Sequence, residues 1–386
     1  MKISRNLFVE IISLFLLLGI FNSSNIPIIG NTSIIVIFFL SNLIFMFYLV
    51  KLHVINIKYK NFIFFYCIFI FIYAMGIFTY PKMNSLKILT MGISLINLYF
   101  YSSNLYFDDL KFRIFHIGIP IYIAIFCIMK IGIIPYGDFW RCFLVYPFLM
   151  IYFLLIFYKR ERKKFYIIEI FFLIYITLEV ESRSVLIMIF VSLFIYYIWR
   201  FITKNKSIYR MTFFAIVIVL VLFTFFYLYL STNTNELVFK VNEISQKLFN
   251  KNIFSGRQVL WIDAINLIKE KWMFGYGTGV LGGQLIGVDI SLHNLYIQLL
   301  IQNGVFGLIS FIFLLYSIWM LFYHNKNSFI VRLTASFFVA SIVHNNFEII
   351  LLQNQVAMAL FQWFIFSIGT SYAINKNNSN NNFKSK

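Results

Sequence analysis

Polar positions are the interruptions in this chain. Apolar runs occupy residues 7–24, 31–50, 61–80, 85–104, 113–134, 139–158, 165–181, 184–201, 209–231, 294–323, 329–346 and 350–374. Each reaches or approaches the roughly 20 residues that carry an α-helix across a hydrocarbon core. A β-barrel would instead show short strands alternating apolar and polar positions. An open sheet edge would leave backbone groups unpaired in lipid. The pattern predicts an all-α polytopic membrane protein with about twelve transmembrane helices. The first run follows Met1–Asn6 without a small-x-small cleavage site, so it reads as a retained first helix rather than a cleaved signal.

One long polar interruption, residues 232–292, stands apart from the short connections. Its periodicity predicts structure. Leu237, Val241, Ile244 and Leu248 form one apolar stripe at helical spacing, and Trp261, Ala264, Ile265, Ile268 and Trp272 form a second. Both predict amphipathic helices lying on the membrane or on the bundle. The Asn- and Ser-rich segment Asn375–Lys386 has the composition of a disordered tail.

Composition and charge add orientation. Of the 386 residues 61% are hydrophobic and 12% charged, too apolar and too sparsely charged for a water-soluble enzyme. Lys and Arg are distributed unevenly. With both termini cytoplasmic, 21 of the 32 fall in inner segments, five in short outer segments and six in the long outer loop. Positive charge favours the cytoplasmic side of short loops, and long loops count little. The net charge of +18 thus belongs beside an anionic inner leaflet and requires no nucleic acid. Cys67, Cys127 and Cys142 form no CxxC pair, so neither a disulfide framework nor a thiolate metal site is expected.

A few outer residues carry candidate chemistry. Ser255 followed by Gln258 predicts a capping box at the start of the second loop helix. Exposed backbone N–H groups there, with Arg257 in the first turn, suit an anion. An ordinary capped helix fits the same residues. Arg183 sits between the seventh and eighth spans, beside Glu179 and Glu181. A local ion pair and a ligand contact both fit it. His293 closes the long loop, and an imidazole can take a proton from a hydroxyl near neutral pH. His344 and Glu348 are spaced i,i+4 near the outer end of the eleventh span and are placed to flank the same cavity. Too few companion ligands surround them for a metal. Six glycines between Gly275 and Gly287 suit either a lid or a plain flexible loop.

The order of these pieces is more specific than any one of them. Ser182-Arg183 comes first, then Ser255-Gly256-Arg257 with Trp261, then Phe274 to Gly279, then His293-Asn294, then Gln302-Asn303-Gly304. Over Glu179–Phe313 this resembles the O-antigen ligase and O-antigen polymerase family of bacterial cell envelopes. Two positions depart from the family pattern. Trp272-Met273-Phe274 stands where Pro is frequent, and Gln302 where Glu is frequent.

The resemblance implies a metal-independent glycosyltransferase without a cofactor, in the bacterial cytoplasmic membrane. It would use an undecaprenyl-diphosphate-linked glycan reached from the outer face. It implies that Arg183 and Arg257 hold the diphosphate and that His293 activates the acceptor hydroxyl. Ser255, Asn294, His344 and Glu348 are secondary candidates. The chain then divides into N-terminal helices (1–178), a catalytic region (179–323) and C-terminal helices with a cytoplasmic tail (324–386). A polymerase of O-antigen or capsule repeat units, with a flippase and a chain-length regulator as partners, is the first expectation. A ligase acting on lipid A-core is the second. A flippase ranks lower, because the inner parts of the spans carry almost no charge along which to pass a polar glycan.

The charge asymmetry makes a direct prediction. Asn252→Cys, in a background lacking the native cysteines, should react in outer-permeabilised cells with a thiol reagent that cannot cross the cytoplasmic membrane. Labelling only after that membrane is broken would invert the orientation.

Overall fold

The computed structural model describes residues 5–20, 57–105, 107, 112–135, 137, 140–161, 164–180, 182–232, 236–249, 256–288, 290–353 and 356–382. The expected span at 31–50 lies outside them. The apolar runs form α1 (Arg5–Ile20), α2 (Lys60–Thr79), α3 (Met83–Ser103), α4 (Arg113–Lys130), α5 (Tyr146–Glu161), α6 (Lys164–Glu179), α7 (Arg183–Ile202) and α8 (Lys206–Thr232). The long loop carries α9 (Glu236–Phe249), α10 (Arg257–Glu270) and a single turn, α11 (Gly282–Leu285). The bundle closes with α12 (Leu295–Phe322), α13 (Phe329–His344) and α14 (Val356–Asn382). The protein is an all-α polytopic membrane protein, and the described residues contain no strand.

Seven of these stretches are long and apolar enough to cross a membrane. The shorter α1, α6 and α13 have 16 residues each. At 1.5 Å per residue that is about 24 Å, less than a hydrocarbon core of roughly 30 Å. The central element is α14, whose apolar window is 100% buried, whereas only 17% of the α8 window is covered by protein. Helix α14 packs against α3 and α13, with Tyr99 Oη and Thr370 Oγ1 3.0 Å apart across the first contact. The outward Leu222, Phe225 and Phe226 of α8 are exposed, as suits a helix whose solvent is lipid.

The second amphipathic stripe faces protein. Trp261 and Ala264 of α10 are buried against α8 and α12, and the Trp261 ring lies 5.2 Å from that of Tyr227. Trp272, expected to complete the stripe, is exposed because α10 ends at Glu270. On α9, Ile244 is exposed and Val241 is half-buried, so the described part of that stripe is only partly covered by protein.

The glycine-rich stretch forms no free lid over Gly275–Gly279. It is built into a break in α12. Gly304 has φ 62° and ψ −163°, which interrupts the helical hydrogen bonds in mid-helix. Loop backbone takes their place. Tyr276 N and Gly277 N donate to the carbonyls of Ile301 (2.7 Å) and Gln302 (2.9 Å), while Val305 N donates to Trp272 O (2.8 Å). Thr278 continues the joint into α2, with its N on Gly76 O (3.2 Å) and its Oγ1 on Tyr73 O (2.5 Å). Irregular backbone at membrane depth survives only when protein satisfies it in this way.

Gly304→Ala tests this joint. A Cβ there would lie 2.1 Å from Met273 O at a positive φ, whereas a Cβ at Gly137 meets nothing within 4 Å. The positive φ alone should cost about 1–3 kcal/mol. Thermal unfolding in detergent should show a clear loss for Gly304→Ala and little change for Gly137→Ala.

Candidate active site

The site forms where three chain segments meet at one end of the bundle: the start of α10, the residues before α12, and the connection between α13 and α14. Asparagines join them. Asn294 caps α12, its Oδ1 accepting from Tyr296 N (3.0 Å) and Ile297 N (3.1 Å). Its Nδ2 donates to Asn346 Oδ1 (3.0 Å), which also accepts from Thr224 Oγ1 of α8 (3.2 Å). Asn345 O accepts from Leu295 N (2.9 Å), and Asn345 Oδ1 accepts from Ile350 N and Leu351 N (3.1 Å each). Trp261 Nε1 donates to Leu292 O (2.7 Å), tying α10 to the residue before His293.

Within this frame Glu348 holds two candidates at once. Its Oε2 is 2.9 Å from His293 Nδ1, and its Oε1 accepts from Arg257 Nη2 at 3.1 Å. Arg257 Nη1 also donates to Phe347 O (2.8 Å). About a quarter of each charged partner is exposed, 25% for Arg257 and 24% for Glu348, so the pair is only partly screened by water. Burial alone would push the Glu348 carboxyl up. The His293 hydrogen bond and the nearby charges of His293 and Arg257 outweigh it and hold the group below its ordinary value.

A carboxylate only accepts hydrogen bonds, so Nδ1 of His293 must be the donor. That leaves Nε2 as the basic nitrogen. His293 adopts φ 52°, a conformation uncommon outside glycine. Such backbone strain is retained where surrounding contacts over-determine it, as the Leu292 and Asn294 hydrogen bonds do here.

Other candidates fall differently. Gly256, at φ 84°, is the N-cap of α10, with no side-chain cap; Ser255 lies outside the described residues. The expected capping box is therefore not formed. With glycine at the cap, Gln258 is the second helical residue rather than the third and cannot reach back. Its Oε1 is buried without a partner among the described residues. His344 and Glu348 interact electrostatically, but α13 ends at His344 and the Glu348 carboxylate makes its hydrogen bonds to His293 and Arg257. His344 is fully buried, with neither ring nitrogen partnered among the described residues.

Arg183 opens α7 and is half-buried. Arg332 Nε donates to Tyr196 O (2.7 Å) and Trp199 Nε1 to Lys326 O (2.7 Å), so α7 and α13 run antiparallel. From those contacts Arg183 and His344 lie about 20 Å along their helices in the same direction. This brings Arg183 to the site's end of the bundle. Of its expected local partners, Glu179 is held by Lys130 of α4, and Glu181 lies outside the described residues. Among the described residues no three His, Cys, Asp or Glu side chains converge to hold a metal ion.

An apolar groove of about 60 Å³ runs between α8, α12 and α13. Phe213, Val217 and Ile312 line one end, and Thr224, Tyr296 and Asn346 the other, beside the asparagine frame.

Residues 170–312 match the model of a family described as O-antigen ligase. Over that segment the chain is similar to the O-antigen ligase family. No curated protein matches the chain. The O-antigen ligase match contains Arg183, Arg257 and His293 and stops before Glu348. The sequence pattern picked out Glu348 beside His344 but not its hydrogen bonds to His293 and Arg257, and it passed over Asn345 and Asn346. The signal for them was a run of turn-forming residues, Asn345-Asn346-Phe347-Glu348, between two apolar stretches.

Because Glu348 titrates below its ordinary value of 4.5 in the folded protein, its ion pairs contribute stability above that value. The contribution is lost as pH falls through the lowered folded pKa. The gap in thermal stability between wild type and Glu348→Gln should therefore be constant near neutral pH and close under acid conditions. A gap that widens on acidification would contradict the pairing.

Proposed function

We propose that this protein is a membrane glycosyltransferase that polymerises surface-polysaccharide repeat units. Its donor would be a glycan on undecaprenyl diphosphate, and its site would face outward from the bacterial cytoplasmic membrane. The observation that carries this reading is the His293–Glu348–Arg257 cluster at the outer end of a lipid-level apolar groove. A lipid-diphosphate donor has matching parts: an apolar tail for the groove and an anionic head for the arginines.

The chemistry follows from the atoms. His293 Nε2 takes the proton of an acceptor hydroxyl as its oxygen attacks the anomeric carbon of the donor. The bond from that carbon to the diphosphate oxygen breaks, and the diphosphate leaves. Glu348 accepts from Nδ1–H, orients the ring and stabilises the imidazolium that forms. Arg257 uses two of its five N–H donors on Phe347 and Glu348. The rest suit phosphate oxygens, and Arg183 supplies a second guanidinium for the departing charge. A chain-length regulator and a flippase are the expected partners. The ligase reading uses the same atoms with lipid A-core as acceptor.

Purified protein in lipid, given a synthetic undecaprenyl-diphosphate repeat unit alone, should produce a ladder of polymer. A product only when lipid A-core is added would favour a ligase. His293→Ala should lower transfer about 100-fold or more while still binding donor. Near-normal transfer would remove the histidine from the chemistry. Arg257→Lys keeps the charge but loses the planar fork, so it should restore only part of what Arg257→Ala loses. Wild-type product from Arg257→Ala or Arg183→Ala would exclude that arginine.

A further inference from the structure

A second cavity lies on the other side of the catalytic pair. It has a volume of about 80 Å³ and is walled by Gly282, Gly283 and Gln284 of α11, Ser291, Gln298 of α12, and Ile349. Two of its walls are chain neighbours of the catalytic pair. Ser291 lies two residues before His293 and its Oγ accepts from His293 N (3.3 Å), and Ile349 directly follows Glu348.

The cavity is braced from the same frame that sets the site. Gln298 N donates to Asn294 O (3.0 Å), one turn into α12. The Gln298 side chain then reaches across, with Oε1 accepting from Gly282 N (3.1 Å) and Nε2 donating to Val280 O (2.8 Å). Both ends of its carboxamide are occupied, so Gln298 holds the wall in place. Gln284, in contrast, is exposed on the single turn that the strut supports.

The lining chemistry differs from that around Arg257. The described residues that line this cavity include amides, a hydroxyl and apolar side chains, and none of them is charged. Hydroxyl and carboxamide groups both donate and accept hydrogen bonds, as sugar hydroxyls do, whereas phosphate oxygens only accept. Guanidinium donors for an anion lie across the Glu348 carboxylate from His293, on Oε1, while His293 occupies Oε2. Guanidinium donors suited to an anion thus sit on Arg257, whereas groups suited to a neutral sugar line the cavity that adjoins His293 through Ser291.

We propose that this cavity binds the acceptor glycan, presenting one sugar hydroxyl to His293, and that Gln284 is a specificity-determining residue contacting that sugar. The inference rests on the transferase reading above and extends it to the acceptor. Leu281 and Ile349 would cover the apolar face of the sugar ring. Diphosphate recognition takes place elsewhere, so substitutions here act on the acceptor and spare the donor.

The test uses the full-length protein in lipid with two probes. One is a synthetic undecaprenyl-diphosphate donor. The other is a lipid-free oligosaccharide of two repeat units, released by mild acid from the host's own surface glycan. Gln284→Ala should raise the KM for the oligosaccharide about 3- to 10-fold, the span of one neutral hydrogen bond. Gln284→Trp, which fills the opening, should raise it more, and the donor KM should stay put in both. Calorimetric binding of the oligosaccharide alone should weaken in parallel. A wild type that transfers, with acceptor KM unchanged in both variants or with donor KM raised instead, overturns the subsite and leaves the transferase reading standing. A wild type that binds the oligosaccharide through Gln284 but transfers nothing supports the subsite and overturns the transferase reading. Absence of both binding and transfer overturns both.

Discussion

Glu348 divides its carboxylate between an imidazole and a guanidinium, and the arrangement of the site depends on that division. One oxygen faces His293 and the other faces Arg257. The two partners come from the middle and the end of the long loop, more than thirty residues apart in sequence. The carboxylate itself comes from a third segment beyond α13. Without it, two groups of positive character would face each other in a partly dry environment, where like charges repel more strongly than in water. With it, His293 has a defined tautomer and Arg257 a defined direction.

A carboxylate can hold this position only if its own backbone is fixed, and the fixing is done by uncharged polar groups. Asn294, Asn345 and Asn346 bind the end of α13 to the start of α12 and, through Thr224, to α8. Asn294 and Asn345 each donate and accept through their side-chain amides, and Asn346 accepts twice through Oδ1, at a place where regular helix has ended and backbone groups need partners. The same solution recurs deeper in the bundle. At Gly304 the opened helix is closed again by the backbone of Trp272, Tyr276 and Gly277, and Gln298 and Gln302 share the Val280 carbonyl. The long loop is therefore continuous with the bundle over much of its length.

That continuity joins three chemically distinct spaces. The apolar groove reaches the asparagine frame through Thr224 and Asn346, the charged trio lies beside that frame, and a cavity whose described lining residues carry no charge adjoins His293 through Ser291. Their order follows from helix direction. Helix α8 rises toward the site through Phe213, Leu220 and Thr224, and α12 descends from it through Tyr296, Leu308 and Ile312. Ligand parts of different polarity can be sorted along one line without any moving element.

The sequence by itself determined the class of molecule, the helices and the identity of the main candidates. Runs of some twenty apolar residues permit little but helix in lipid, and the Arg183, Arg257 and His293 motifs are local patterns that do not depend on distant contacts. Periodicity also located α9 and α10, although it could not say which stripe meets protein. Tertiary structure decided the rest, because it concerns where helices stop and what lies across from them. Gly256 rather than Ser255 caps α10 because a positive φ was needed at that bend. Glycines read as mobile at Gly275–Gly279 became a buried joint because α12 breaks beside them. Glu348 looked like a helical neighbour of His344. The end of α13 turned it toward residues that spacing along the chain could not have paired with it.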